Sequence, residues 1–392
     1  MKDFAPVSAQ IRGVVDRHAV PSTWLAAAAA LRPSRLRPAE RVTAPEVPDR
    51  PARRARVSVV VPCYNYAHFL RGAVGSALTQ EDVDVQVVIV DDRSPDDTGA
   101  VAAELAADRR VTVVSNEQNL GHVRAFNRGL ERADGDFLVR LDADDLLTPG
   151  CLSRAAALFE HDPAIGLVYG NPYHFTTAAP PAPRTSRVSW TIWSGADWLG
   201  ERCRRGVNCI TTPEAMVRMS VMDEVGPLDT RLRFAQDMEL WCRIAAVSDV
   251  ARVNGADQAL HRDHASSMSA TEGSPALTDL EERRQVFASV FETTGATLPN
   301  AAGLHSIATR VLARESVTYA DRALDAGDRQ LAEQFLDYAR ETAPAVLLER
   351  RTLSVQRRTE TDATRSRLRV LRRRLAGVGR EFDYVRWAVH GV

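Results

Sequence analysis

Along this chain, short unbroken apolar runs alternate with stretches whose apolar residues recur every three to four positions. Val57 to Pro62, reading VSVVVP, is continuous and β-branched, as a parallel strand buried on both faces requires. Phe69, Leu70, Val74, Ala77 and Leu78 then fall at helical spacing, and Val85 to Val90 forms a second strand that ends in Asp91 and Asp92. Ser94 to Asp97 reads as a turn and helix start, and Val101 to Ala107 continues that helix. Val111 to Val114 is a third strand, Asn116 to Gly121 a loop, Val123 to Ala133 a helix, and Phe137 to Leu141 a fourth strand. Strand and helix alternating in this way predict an α/β fold, with an open, mostly parallel sheet carrying helices on both faces. Ligands of such sheets sit at the carboxyl ends of the strands, which is where Tyr64, Asp91, Asp92 and the Asp142 to Asp145 stretch all fall.

The densest candidate chemistry lies in LVRLDADDLLT, residues 138 to 148. A strand there delivers Asp142, Asp144 and Asp145 to one exposed end. Carboxylates this close repel one another unless water or a cation separates them, and oxygen-only ligands suit a hard divalent ion. A competing reading lets Asp144 and Asp145 cap a helix that begins near Leu146.

Beyond this point the pattern is less regular. Residues 172 to 208 hold Pro180, Pro181, Pro183, Trp190, Trp193 and Trp198, consistent with a variable insertion, its tryptophans either stacking on a ligand's rings or filling core. Asn208 to Met219 reads as a strand and Met238 to Ala246 as a helix, with Asp237 an exposed or N-capping residue at its start. His261 and His264, three apart, would share a helix face, although further zinc ligands are not evident. Segments near 278–293, 303–325 and 328–341 have helical spacing, broken at Gly327 and Pro344. Leu368, Leu371, Leu375, Val378, Phe382, Val385 and Val389 then make an a/d-like stripe flanked by Arg365, Arg367, Arg369, Arg372, Arg373, Arg374 and Arg380. That basic tail fits an anionic membrane surface, or packing on this chain or another copy of it.

Composition narrows the classes. A chain of 392 residues accommodates one α/β domain with appendages, and a formal net charge of -1 gives no field for nucleic acid. Lys2 is the only lysine, which we read as coding bias rather than arginine-based function. The five cysteines include no CxxC pair and are expected to be reduced core residues in a cytoplasmic protein. The early apolar run Trp24 to Leu31 is too short and too late for a signal peptide, and no segment approaches the roughly 20 apolar residues of a membrane span. Residues 1–54, rich in proline and arginine, read as a loosely ordered arm around a short helix near 22–32. Neither GxGxxG nor GxxxxGK[ST] follows the first strand, which argues against dinucleotide-dependent dehydrogenases and P-loop enzymes.

Four stretches together, VSVVVPCYNYAHFL (57–70), VVIVDDRSPDDT (87–98), NLGHVRAFNRGLERADGDFLVRLDADD (119–145) and FAQDMELWCRI (234–244), resemble the inverting family-two glycosyltransferases with the GT-A fold. The resemblance covers about residues 55–270 and leaves 271–392 as a C-terminal helical region. It implies a nucleotide diphosphate sugar as donor, with UDP the expected nucleotide, held by Pro62, Tyr64, Asn65, Asp91, Asp92, Asn119, Gly121, Arg124, Asn127 and Asp142. It implies Mn2+ or Mg2+ at Asp144, with His264 as a further ligand and His261 as the alternate, and Asp237 as catalytic base. The acceptor would be a glycan, a lipid-linked glycan or a secondary metabolite, met in the cytoplasm or at the inner face of the membrane, as in polysaccharide biosynthesis. Homo-oligomers are compatible with the tail. Two departures stand out: Gln236 occupies a position usually held by Glu, and Phe126 one often held by Arg, with Arg124 as the compensating candidate. A non-catalytic sugar-nucleotide binder is the alternative these departures keep open. A sugar nucleotidyltransferase would need a Gly-rich basic loop where CYNYAHFL stands.

Overall fold

A computed structural model describes residues 36–43, 54–177, 179–185, 189–265 and 275–360. The described residues divide into two compact units, one formed by Arg37–Trp198 with Ile210–Ala265 and the other by Leu199–Cys209 with residues 275–360. The expected short helix near 22–32 and the basic stripe from Leu368 lie outside the described residues.

The larger unit is built on a ten-stranded sheet. In chain order its elements are β1 (Glu40–Thr43), β2 (Ala55–Cys63), α1 (Ala67–Leu78), β3 (Val83–Asp91), α2 (Thr98–Leu105), β4 (Val111–Ser115), α3 (His122–Leu130), β5 (Phe137–Arg140) and β6 (Leu146–Leu147). They continue with α4 (Cys151–His161), β7 (Ile165–Phe175), β8 (Ser189–Trp193), α5 (Gly195–Arg205), whose residues from Leu199 onward belong to the second unit, β9 (Met216–Arg218), α6 (Met219–Val225), α7 (Gln236–Val247) and β10 (Asp249–Arg262). The sheet order is β1-β8-β10-β7-β9-β5-β2-β3-β4, with β6 beside β10.

The pairs β2/β3, β3/β4, β2/β5 and β7/β10 are parallel. Val59, Val61, Val87 and Ile89 are fully buried in the core, each worth about 1.5–3 kcal/mol of apolar burial. Helix α3 lies close on this sheet because it carries a glycine: a Cβ on Gly129 would stand 2.4 Å from Val60 Cγ1.

Several expectations are overturned. Leu146 and Leu147 pair antiparallel with Leu260 and Ala259 as a short strand, so Asp144 and Asp145 cap no helix there. Only Met216–Arg218 of the strand expected over 208–219 forms, because Met219 starts a helix. Glu40–Thr43 of the expected arm pairs with Ser189–Ile192 and so joins the sheet. His261 belongs to a strand that ends at Arg262, which separates it from His264 instead of placing both on one helix face. Trp190, Trp193 and Trp198 are all buried, leaving none of them to stack on a sugar. The five cysteines are buried thiols outside any disulfide, as expected.

The second unit is helical: α8 (Ala276–Glu292), α9 (Ala301–Ala326), α10 (Arg329–Thr342) and α11 (Arg350–Glu360). Gly327, at φ 86°, ends α9, and the Asp328 side chain accepts from Leu331 N to start α10. Buried Arg283 is neutralised by Asp279 and Glu315, at 2.6 and 2.9 Å. Among the described residues no helix is long and apolar enough to cross a membrane.

Candidate functional site

Three adjacent parallel strands, β5, β2 and β3, end at one rim, and the polar residues that follow each of them meet there. After β2, Tyr64 stands 47% exposed, and Asn65, with φ 61°, turns the chain and donates its N–H to Ser94 Oγ at 3.0 Å. Pro62 is the last ladder position but one, opposite Val90.

After β3 the two aspartates do different work. Asp91 Oδ1 accepts from Ser94 N at 3.0 Å and so closes the turn. Buried Asp92 accepts from Asn116 Nδ2 at 2.7 Å, Leu120 N at 2.9 Å and Gly121 N at 2.8 Å. The Asn119 side chain also accepts from Gly121 N, at 3.0 Å, and Gly121 takes φ 82°, a backbone region that favours glycine. Asp92 thereby fastens the loop that presents Asn119 and Gly121.

Arg124 is exposed on α3. Asn127, expected on the donor, instead spends both ends of its amide on Leu228, accepting from its N–H at 3.0 Å and donating to its carbonyl at 2.9 Å. This clasp ties α3 to the segment that leads into α7.

The acidic triplet is drawn into the end of β10. His264 Nε2 lies 2.9 Å from Asp144 Oδ2. Asp145, wholly buried, takes His261 Nδ1 at 2.9 Å on one oxygen and Arg262 N at 2.8 Å on the other, while Arg262 Nε donates to the Asp144 carbonyl. Burial, then repulsion from Asp145 and Asp142, pushes the Asp144 carboxyl up to about 6, against the pull of His264. Burial would raise Asp142 as well, but Arg140 at 3.1 Å, with His122 and His261, brings it below the usual carboxylate range. Burial and these same three carboxylates raise the Tyr66 phenol, whose ring stands edge-on to His264 at 5.7 Å. A crowded carboxylate held above its ordinary pKa beside an imidazole is a donor set that a divalent cation would relieve, so the residues present fit Mg2+ or Mn2+.

Asp237 lies in the first turn of α7, where the helix dipole favours negative charge, and its Oδ1 accepts from Met238 N at 2.7 Å. It is not the N-cap, which is Ala235. The neighbouring buried Gln236 brings this helix to the rim, its Nε2 lying 3.1 Å from His122 Nε2. Burial, then the charge of Arg140, lowers His122 to about 4, so the ring is neutral at pH 7 and its Nε2 can accept from the Gln236 amide. Asp142 and Asp92 are close enough to His122 to pull against that shift. His122 is thus the point around which Asp92, Asp142 and the start of α7 gather.

Sequence reasoning missed His122, Arg140 and Tyr66. The Arg140 guanidinium lies 5.8 Å from the Phe126 ring centroid, and its Nε and Nη1 are buried without partners. A signal for it was present, since Arg140 stands two residues before Asp142 at a strand end.

Residues 58–226 match the description Glycosyl transferase family 2. An uncharacterized glycosyltransferase of Nostoc sp. is 30% identical over 186 residues, 44% of this chain and 54% of that protein. Poly-beta-1,6-N-acetyl-D-glucosamine synthase of Staphylococcus aureus is 22% identical over 174 residues, 44% of this chain and 42% of that one. The chain therefore spans about half the length of these curated relatives. Among solved structures, S. aureus TarS 1-349 in complex with UDP superposes with a TM-score of 0.53 at 14% identity, over 85% of this chain and 90% of that one. Its complex with UDP-GlcNAc gives the same score at 16% identity over the same shares. At these identities the likeness is one of fold, the mostly parallel α/β GT-A arrangement.

Proposed function

We propose, from the match of residues 58–226 to glycosyl transferase family 2, that the chain moves a sugar from a nucleoside diphosphate donor to an acceptor hydroxyl with inversion. The observation that carries the reading is the Gln236–His122 contact, which brings the helix bearing Asp237 to the strand ends bearing Asp92 and Asp142. A base on one side and a charge-stabilising cluster on the other are what a single displacement at the anomeric carbon needs.

Exposed Tyr64 would lie against the nucleotide base, and the loop that Asp92 fastens would line the ribose. Asp144 and His264, with Asp142 beside them, would hold the divalent cation, which when bound would stabilise charge on the departing diphosphate. Asp237 would take the proton from the attacking hydroxyl. UDP is the nucleotide we favour, supported by the shared fold of a protein solved with UDP and UDP-GlcNAc. The acceptor class we favour is a glycan or lipid-linked glycan.

Transfer assays with UDP-sugars and Mn2+ test this. Asp237→Asn is expected to lower kcat by about 10²–10⁴-fold while sparing donor binding, because only proton removal is lost. Asp144→Asn is expected to weaken metal-dependent donor binding. Parent-level turnover in Asp237→Asn would remove Asp237 as base, and donor binding without any transfer in the parent chain would favour a non-catalytic binder.

A further inference from the structure

The far end of the β7/β10 ladder carries a second set of ligating groups. The two strands run parallel with His174 directly opposite His261. Asp263 N continues the ladder by donating to Phe175 O, and two residues past His261 its side chain returns to the same face. The two imidazole centroids are 4.7 Å apart. His174 Nδ1 lies 3.2 Å from Asp263 Oδ2, and His261 Nε2 lies 3.9 Å from Asp263 Oδ1. One donor atom from each of the three residues falls within 4.8 Å of the other two.

An independent feature lies on the other side of His261. Its Nδ1 meets the buried Asp145 carboxylate at 2.9 Å, and that carboxylate is itself fixed by Arg262 N. A carboxylate on one ring nitrogen fixes the orientation of the ring, which is how metal-binding imidazoles are held. Here the other ring nitrogen, Nε2, is the one nearer Asp263. Burial lowers the pKa of His174 against the pull of Asp263.

We propose that His174, His261 and Asp263 form a binding site for a borderline transition cation, Zn2+ foremost, separate from the Asp144–His264 pair. Two imidazoles and one carboxylate suit Zn2+ and not Mg2+ or Ca2+, which prefer oxygen donors throughout. Three protein ligands leave a fourth tetrahedral position for water. Ligand atoms about 2.0–2.1 Å from such an ion stand about 3.3 Å apart, so the donors need to close by roughly 1.5 Å at most, led by rotation of the partly exposed Asp263 side chain. His264 follows Asp263 directly, so a cation here would pin the segment that presents His264 to Asp144. The proposal does not depend on glycosyl transfer, and its test reads metal alone.

The untagged full chain, stripped with EDTA, is titrated with Zn2+ and, separately, with Co2+. We expect one equivalent of Zn2+ per chain and, for Co2+, the intense visible absorption of a four-coordinate ion. His174→Gln and Asp263→Asn should each weaken Zn2+ at least about tenfold and Asp145→Asn by about 10–100-fold, whereas Asp144→Asn should leave it unchanged. A weak six-coordinate Co2+ spectrum in the parent chain would overturn the proposal without recourse to any variant. So would Zn2+ binding that is indifferent to His174→Gln, or that is lost in Asp144→Asn and kept in His174→Gln. Circular dichroism and the metal-free Tm of each variant separate lost ligands from lost fold.

Discussion

Asp92 and Asp144 both follow parallel strands at the same rim, yet they live in opposite circumstances. Asp92 is buried and receives three N–H donors, two from the backbone of one loop. Asp144 is crowded by two further carboxylates, and burial with that repulsion lifts its pKa to about 6. A satisfied carboxylate is part of the architecture, whereas one held at an electrostatic cost is kept for a partner that arrives later. The same division separates Asn127, both ends of whose amide are spent on Leu228, from exposed Tyr64.

If that contrast is sound, Asp92→Ala should have the largest effect on folding. It strands three donors at a buried site and is expected to cost roughly 3 kcal/mol in chemical denaturation. Asp144→Asn should instead leave the metal-free protein as stable as the parent or more so, with its loss confined to metal-dependent donor binding by calorimetry. Equal destabilisation by the two substitutions would erase the distinction. Asn127→Ala comes next, at about 1–2 kcal/mol, with the segment around Leu228 loosened in hydrogen exchange.

Smaller effects appear in the pH dependence of Tm without metal. Asp144 binds its proton more tightly folded than unfolded, so its contribution to stability falls as pH rises from about 4 to about 6. His122 is the reverse: its pKa falls to about 4 on folding, so its contribution is lost as pH drops from 6.5 towards 4. Asp144→Asn should therefore steepen the loss of stability on acidification, and His122→Asn should flatten it. Smallest in stability terms is Gln236→Glu, whose carboxylate beside His122 should raise the imidazole pKa, as read by an NMR titration.

Much of the larger unit was legible from local pattern. Val57 to Pro62 and Val85 to Val90 are unbroken β-branched runs, and they form the adjacent buried strands β2 and β3. The acidic residues that follow such strands had to emerge at the carboxyl ends, so the rim was legible too. Less regular stretches misled: residues 208–219 have strand-like composition, but pairing partners exist only for Met216–Arg218, and the helix expected near Leu146 lost to pairing with β10.

By itself, the sequence determined the succession of strands and helices and the acidic rim, because alternation and helical periodicity are written in neighbouring residues. The tertiary structure alone decided which polar groups are spent and which are held ready. Asp145 meets His261 across 116 positions, Asn127 clasps Leu228 across 101, and His174 faces His261 only because β7 and β10 pair in one register. Hydrogen-bond satisfaction and charge crowding depend on distances in space, and no local period along a chain encodes them.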